Sequence, residues 1–260
     1  MSKKKEHIVL MNFSEIYETQ EFYKKRKIVW IECKELEGTN CYCDEMAARA
    51  IQEQIKSFSY DGIHYIDSGN YHYISRLWLE KLDCSCRLLV FDNHTDLQPP
   101  AFGGLLSCGG WIAAVIEELP FIKEVILVGP DEEAFAQVDP ELKKKIRYFS
   151  REQIKKNSFE QNLKFFETLP ADLPLYISVD KDVLSPQDAC TTWSQGDMRL
   201  SELMAYLECV FSRFQTEGMK ILGMDICGEC DMDQAWLGAV NEEANRQLLE
   251  LFIRKEAVEI

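Results

Sequence analysis

The chain has 260 residues, with 44 acidic against 29 basic side chains and a formal net charge of -15. A nucleic-acid partner needs a basic footprint, and the only runs that offer one, Lys3-Lys4-Lys5 and Lys143-Lys144-Lys145, read as solvated surface, so nucleic acid is excluded as a partner. No apolar stretch approaches the ~20 residues that span a bilayer, and the lysine-rich amino terminus is not followed by a hydrophobic core and cleavage site, so a cytoplasmic protein with no membrane partner is expected.

In chain order, β-rich runs are expected at 8–12, 28–31, 63–67, 88–92, 125–129, 146–149, 175–180 and 220–225. Between and after them, amphipathic helices are expected at 44–56, 110–119, 159–169, 201–215 and 241–255. Strand and helix alternation on this scale implies an α/β fold, a three-layer α/β/α arrangement with a mostly parallel central sheet covered on both faces. Without an internal repeat, a low-complexity tract or a Pro/Gly/Ser linker, residues 1–260 read as one domain.

In such a sheet, ligands bind beyond the carboxyl ends of the strands. Two carboxylate-rich clusters lie there: Asp92-Asn93-His94-Thr95-Asp96 after Arg87-Leu88-Leu89-Val90-Phe91, and Ser178-Val179-Asp180-Lys181-Asp182 after Leu175-Tyr176-Ile177. Alternation on an extended backbone puts Asp92, His94 and Asp96 on one side, and Asp180 and Asp182 likewise. Five such ligands converging from two strand ends would hold a pair of divalent cations. Run 63–67 leads into Ser68-Gly69-Asn70-Tyr71-His72, where Gly69 is expected to permit a tight turn presenting His72, one of only four histidines. The ten cysteines are expected as reduced thiols, because a core this large needs no staples and no export signal accompanies them. Cys41-x-Cys43 and Cys84-x-Cys86 have the wrong spacing for a zinc knuckle, and Cys227-x-x-Cys230 lacks a second pair.

These motifs, in this order and each at a strand end, resemble the ureohydrolases (arginase, agmatinase and their relatives) on the arginase/deacetylase fold. The resemblance spans roughly residues 63–229, and the ordered trio of Gly69 to His72, Asp92-x-His94-x-Asp96 and Ser178-x-Asp180-x-Asp182 carries it. It implies a single arginase-like catalytic domain with two Mn2+ per chain: Asp92 and Asp180 bridge both ions, His72 and Asp96 complete one site, and His94 and Asp182 the other. Carboxylate with some imidazole and no thiolate suits Mn2+ better than zinc. Two ions roughly 3.5–4 Å apart lower the pKa of a shared water, and Asp96 would orient that nucleophile and pass its proton to the departing amine.

The implied reaction cleaves a C–N bond of a guanidino substrate and releases urea. The family grips the substrate cation with a glutamate beyond the last motif strand; Glu229 is the nearest match, but the family position, counted from Asp225, falls on Gly228, and Asp231 and Asp233 are the other acids nearby. The family's proton-shuttling histidine is replaced in Leu106-Ser107-Cys108-Gly109-Gly110 by Cys108, and its Gly-Thr-Pro segment by Thr191-Thr192-Trp193-Ser194-Gln195-Gly196. The catalytic candidates are therefore Asp96, Glu229 and Cys108, and the substrate-binding candidates Glu229, Trp193 and Gln98. Because the departures fall in the loops that recognise free arginine, an arginine side chain within a peptide is the favoured substrate beside small guanidines, and the acidic surface suits a cation. Homo-oligomers occur among the relatives. Two other classes stay open: a metal-dependent deacylase on the same fold, against which Asp182 argues, and a noncatalytic metal-binding relative, against which the complete ligand set argues.

Overall fold

The computed structural model describes residues 8–100 and 104–256, without the side chain of Glu256. Lys3-Lys4-Lys5 lies outside the described residues. The strands are β1 (Ile8–Asn12), β2 (Val29–Glu32), β3 (Tyr42–Cys43), β4 (Ile63–Tyr65), β5 (Cys86–Phe91), β6 (Leu106–Ser107), β7 (Ile122–Val128), β8 (Ile146–Phe149), β9 (Leu175–Asp180) and β10 (Ile221–Cys227). The helices are α1 (Glu45–Ile55), α2 (Ile74–Leu79), α3 (Trp111–Glu118), α4 (Glu132–Ala136), α5 (Pro140–Lys143), α6 (Arg151–Lys156), α7 (Phe159–Glu167), α8 (Leu200–Thr216) and α9 (Ala239–Glu256).

Eight strands form one sheet in the order β2-β1-β4-β10-β9-β5-β7-β8, every neighbouring pair parallel. Alternation within each strand feeds two cores. Leu10, Leu89, Phe91, Ile126 and Val128 point to the face covered by α6 to α9, while Val9, Met11, Leu88, Val90, Val125 and Leu127 point to the face covered by α1 to α5. Each such buried aliphatic or aromatic side chain contributes about 1.5–3 kcal/mol relative to exposure, so a one-residue slip in register would expose a whole row. The helices present matching stripes: Leu203, Leu207, Val210 and Phe214 of α8 recur at the helical period and are all buried. Asp44 caps α1 by accepting a bond from Ala47 N at 2.8 Å, and Ser150 and Ser158 start α6 and α7 with capping boxes.

All eight expected strand runs belong to the large sheet, three of them with the expected ends (8–12, 146–149 and 175–180) and five with shifted ones. The consequential shift is in β10, which continues to Cys227 instead of stopping at Asp225 and so pairs Cys227 with Asp180 of β9. The antiparallel pair β3–β6 and helices α2, α4, α5 and α6 went unexpected, being too short to show a period. Among the described residues no helix is long and apolar enough to cross a membrane.

Chain order reverses direction across the sheet between β4 and β5, with β10 and β9 inserted between them. The carboxyl ends of these four central strands meet at the switch point of the fold, where a crevice opens.

Candidate metal centre

Four central strands deliver the side chains. After β4 the chain turns at Asp67, whose φ of 68° and buried carboxylate, accepting from Phe13 N and Ser14 N at 2.9 Å each, hold the reversal. The tight turn expected at Gly69 follows, without a left-handed conformation at that residue. Gly69 is needed for room instead: a Cβ there would meet Trp193 Cδ1 at 2.8 Å and Asp180 Oδ2 at 3.1 Å. A 3-10 turn over Gly69–Tyr71 then presents His72.

The first acidic motif does not run on as an extended strand. It bends after Phe91, and Asp96 takes a left-handed backbone conformation with φ 48°, so turns bring Asp92, His94 and Asp96 together where simple alternation was expected. Asp182 likewise sits in a 3-10 turn, Lys181–Val183, closed by Asp180 Oδ1 accepting from Asp182 N at 2.8 Å.

The six residues converge. His72 Nδ1 is 3.2 Å from Asp92 Oδ2, 3.2 Å from Asp96 Oδ2 and 3.5 Å from Asp180 Oδ2. His94 Nδ1 lies 2.8 Å from Asp182 Oδ2 and 3.6 Å from Asp92 Oδ1. Three groups have ligand atoms within 4.8 Å of one another: His72–Asp92–Asp96 and Asp92–His94–Asp182, which share Asp92, and His72–Asp180–Cys227. Outer partners fix the rings: His72 Nε2 is 2.9 Å from Ser178 Oγ, His94 Nε2 is 2.8 Å from Ser194 Oγ, and Trp111 Nε1 donates to Asp96 Oδ2 at 2.7 Å.

The electrostatics are those of a cation site. Burial, then mutual repulsion, raises the carboxyl pKa values of Asp96, Asp180 and Asp182. At Asp92 burial acts the same way but is outweighed by the closeness of the two histidines, which lower its pKa. Burial opposes charge on His94, yet its bonds to Asp182 and Asp92 prevail and push its pKa up to about 12. Despite the crowding, His72 Nδ1 and Asp92 Oδ2 are buried without a well-formed hydrogen bond. An imidazole nitrogen and a carboxylate oxygen, each able to offer a lone pair and lying 3.2 Å apart, fit metal ligation, and the donor set of carboxylates and imidazoles suits divalent ions.

The centre floors a cleft of about 370 Å³. Trp193, 41% exposed, walls it, edge-on to His94 with ring centroids 5.9 Å apart and anchored by donating Nε1–H to Asn70 Oδ1 at 2.8 Å. Gln98 and Cys108 also line the cleft, where burial first and the Asp96 charge next raise the Cys108 pKa and keep its thiol protonated. Four lining residues escaped the sequence reading as parts of the site: Cys41 and Tyr42, brought in by the short β3–β6 pair, and Asp131 and Ala134, the cap and a residue of α4. Only Asp131 carried a legible signal, an acid following a β-run and Gly129-Pro130.

Glu229 is not in the cleft, which corrects the expectation that it grips the substrate. It is fully buried, its carboxylate paired with Lys181 and accepting from Gln20 Nε2 at 2.8 Å, Asn241 Nδ2 at 2.9 Å and Asn245 Nδ2 at 2.7 Å. At Gly228, with φ 86°, a Cβ would meet Asp180 Oδ1 at 2.4 Å and Lys181 N at 2.7 Å, so a side chain in the family position is sterically barred. Asp231 and Asp233 are exposed in the following loop and do not line the cleft.

The chain is 27% identical over 256 residues to an uncharacterized protein of Thermotoga maritima, covering 96% of this chain and 91% of that one. Its fold matches the crystal structure of arginase from Bacillus cereus with a TM-score of 0.69 at 14% identity, covering 94% of this chain and 98% of that one. It also matches Trypanosoma cruzi formiminoglutamase with Mn2+, with a TM-score of 0.66 at 10% identity over 97% of this chain and 93% of the other. The family model described as Arginase family matches residues 9–229, the stretch that holds every strand of the sheet and all six converging side chains. The chain therefore belongs to the arginase family.

Proposed function

We propose that this protein is a binuclear manganese hydrolase that cleaves a C–N bond of a guanidino group and releases urea, working as one catalytic domain over residues 1–260. The supporting observation is the pair of buried orphan atoms, His72 Nδ1 and Asp92 Oδ2, at the floor of an open cleft. His72, Asp92, Asp96 and Asp180 would hold one ion, and Asp92, His94, Asp180 and Asp182 the other. The family usually binds a binuclear metal site, and the formiminoglutamase neighbour carries Mn2+. A bound metal pair supplies Lewis acidity and an acidified water near neutral pH.

The chain's own residues do the rest. Asp96, held by Trp111, is placed to orient the attacking water and hand a proton to the leaving amine. Trp193 offers an aromatic face to a planar cation, Gln98 a polar contact, and Asp131 a carboxylate on the cleft wall. An arginine side chain held within a peptide suits a cleft that is walled by exposed Tyr42 and Trp193 and has no acid at the position of Gly228.

A second reading, hydrolysis of an amide-like C–N bond on the same centre, is favoured by that same missing acid. Urea release from L-arginine, agmatine, guanidinobutyrate and an arginine-containing peptide, after loading with Mn2+, tests the first reading. Acyl or ammonia release with no urea from any guanidine would replace it with the second.

A further inference from the structure

We infer that Cys227 is a metal ligand of this centre, adding a sulfur donor beside His72 and Asp180 and biasing the site away from Mn2+ toward softer ions such as Zn2+ or Co2+. The inference rests on the binuclear metal reading above.

The position follows from the sheet. Because β10 runs two residues further than its hydrophobic pattern suggests, Cys227 is directly paired with Asp180 across the β9–β10 ladder. Its Sγ lies 3.0 Å from Asp180 Oδ2, donating toward that carboxylate. Sγ of Cys227, a carboxylate oxygen of Asp180 and a ring nitrogen of His72 all fall within 4.8 Å of one another, and all three residues are buried. Oxygen and sulfur on one tetrahedral ion, at ordinary bond lengths of ~2.1 and ~2.3 Å, are roughly 3.6 Å apart. The observed hydrogen bond of 3.0 Å would open by roughly half an ångström for both atoms to meet one ion in place of the thiol proton.

A buried cysteine alone is more often inert core packing. Here a second observation points to a ligand: His72 Nδ1, 3.5 Å from Asp180 Oδ2, is buried without a hydrogen-bond partner. The sulfur therefore stands at the edge of a point already short of a cation. On ligation the Sγ–H bond breaks as the sulfur–metal bond forms, the proton leaves to solvent, and no electron is transferred. Thiolate in the donor set moves selectivity toward zinc and its neighbours, where carboxylate and imidazole alone suit manganese.

The test is to strip the full-length protein of metal, titrate it with Co2+ alone, and count bound cobalt while recording the near-ultraviolet spectrum. Two Co2+ per chain with an intense sulfur-to-cobalt charge-transfer band are expected, and Cys227→Ser should lose the band while still binding cobalt. The preference for Zn2+ over Mn2+ in direct competition should fall in that variant. Two bound Co2+ without the band in the parent chain, or a band that survives Cys227→Ser, overturns the thiol ligand and leaves the binuclear centre standing. No cobalt uptake at all overturns both. Should the variant not fold, X-ray absorption of the zinc-loaded parent chain decides: a sulfur shell at about 2.3 Å is expected, and a shell of nitrogen and oxygen only rejects the inference.

Discussion

The segment Asp180-Lys181-Asp182 turns its side chains into two buried charged clusters, one toward the cleft and one away from it. Toward the cleft, carboxylates outnumber their partners and polar atoms are left over. Away from it, Lys181 and Glu229 neutralise each other, and amides of Gln20, Asn241 and Asn245 take up the remaining valences. Both clusters are charged, but only in the first do the acids outnumber the bases. A buried ion pair with all its hydrogen bonds made is a closed structure, whereas a surplus of carboxylate beside a cleft is a setting that suits cation binding. The sequence alone invites the opposite assignment for Glu229, because nearness in the chain to a motif does not say into which cluster a side chain turns.

The sharpest break of this comparison is Asp180→Ala. It should reduce bound Mn2+ from two ions per chain to none, and with it the thermal stabilisation by added Mn2+, which is about 2.7 kcal/mol at a hundredfold excess over Kd. Elemental analysis and melting curves with and without Mn2+ check this, and unchanged stoichiometry would remove the proposed centre. Next in size, Lys181→Met strands the Glu229 charge and should cost ~3–5 kcal/mol in chemical denaturation, with or without metal. Adding Glu229→Gln, which removes the charge and keeps an acceptor for the surrounding amides, should recover most of that loss. If the double variant is as unstable as the single one, the pair is not a closed unit. A smaller effect is expected of Trp193→Ala, which trims the cleft wall and leaves every ligand in place: KM should rise about tenfold, or ~1.4 kcal/mol, with metal content unchanged. Steady-state kinetics on whichever guanidine releases urea measure it, and an unaltered KM would return Trp193 to the role of packing against Gly69.

The central sheet was legible because its strands are long aliphatic runs whose residues are buried on both faces, a pattern local sequence displays directly. The six converging side chains were legible for a related reason, since acids and imidazole at the ends of such runs contradict ordinary turn chemistry. Their convergence is nevertheless achieved by turns at Asp67 and Asp96, both with positive φ, and aspartate tolerates that conformation without advertising it. Glu229 was misread because its environment depends on the bend after β10 and on partners as far away as Gln20, 209 residues along the chain. Cys41 and Tyr42 enter the cleft through a two-residue strand too short to leave a signature.

Gly228 carries a last consequence, for anyone hoping to convert this protein into a free-arginine enzyme. With the Asp180 carboxylate occupying the volume that a side chain at 228 would need, grafting a glutamate there collides with the catalytic floor before it can reach any ligand. A side chain at this one backbone position cannot be added without moving Asp180, a proposed ligand.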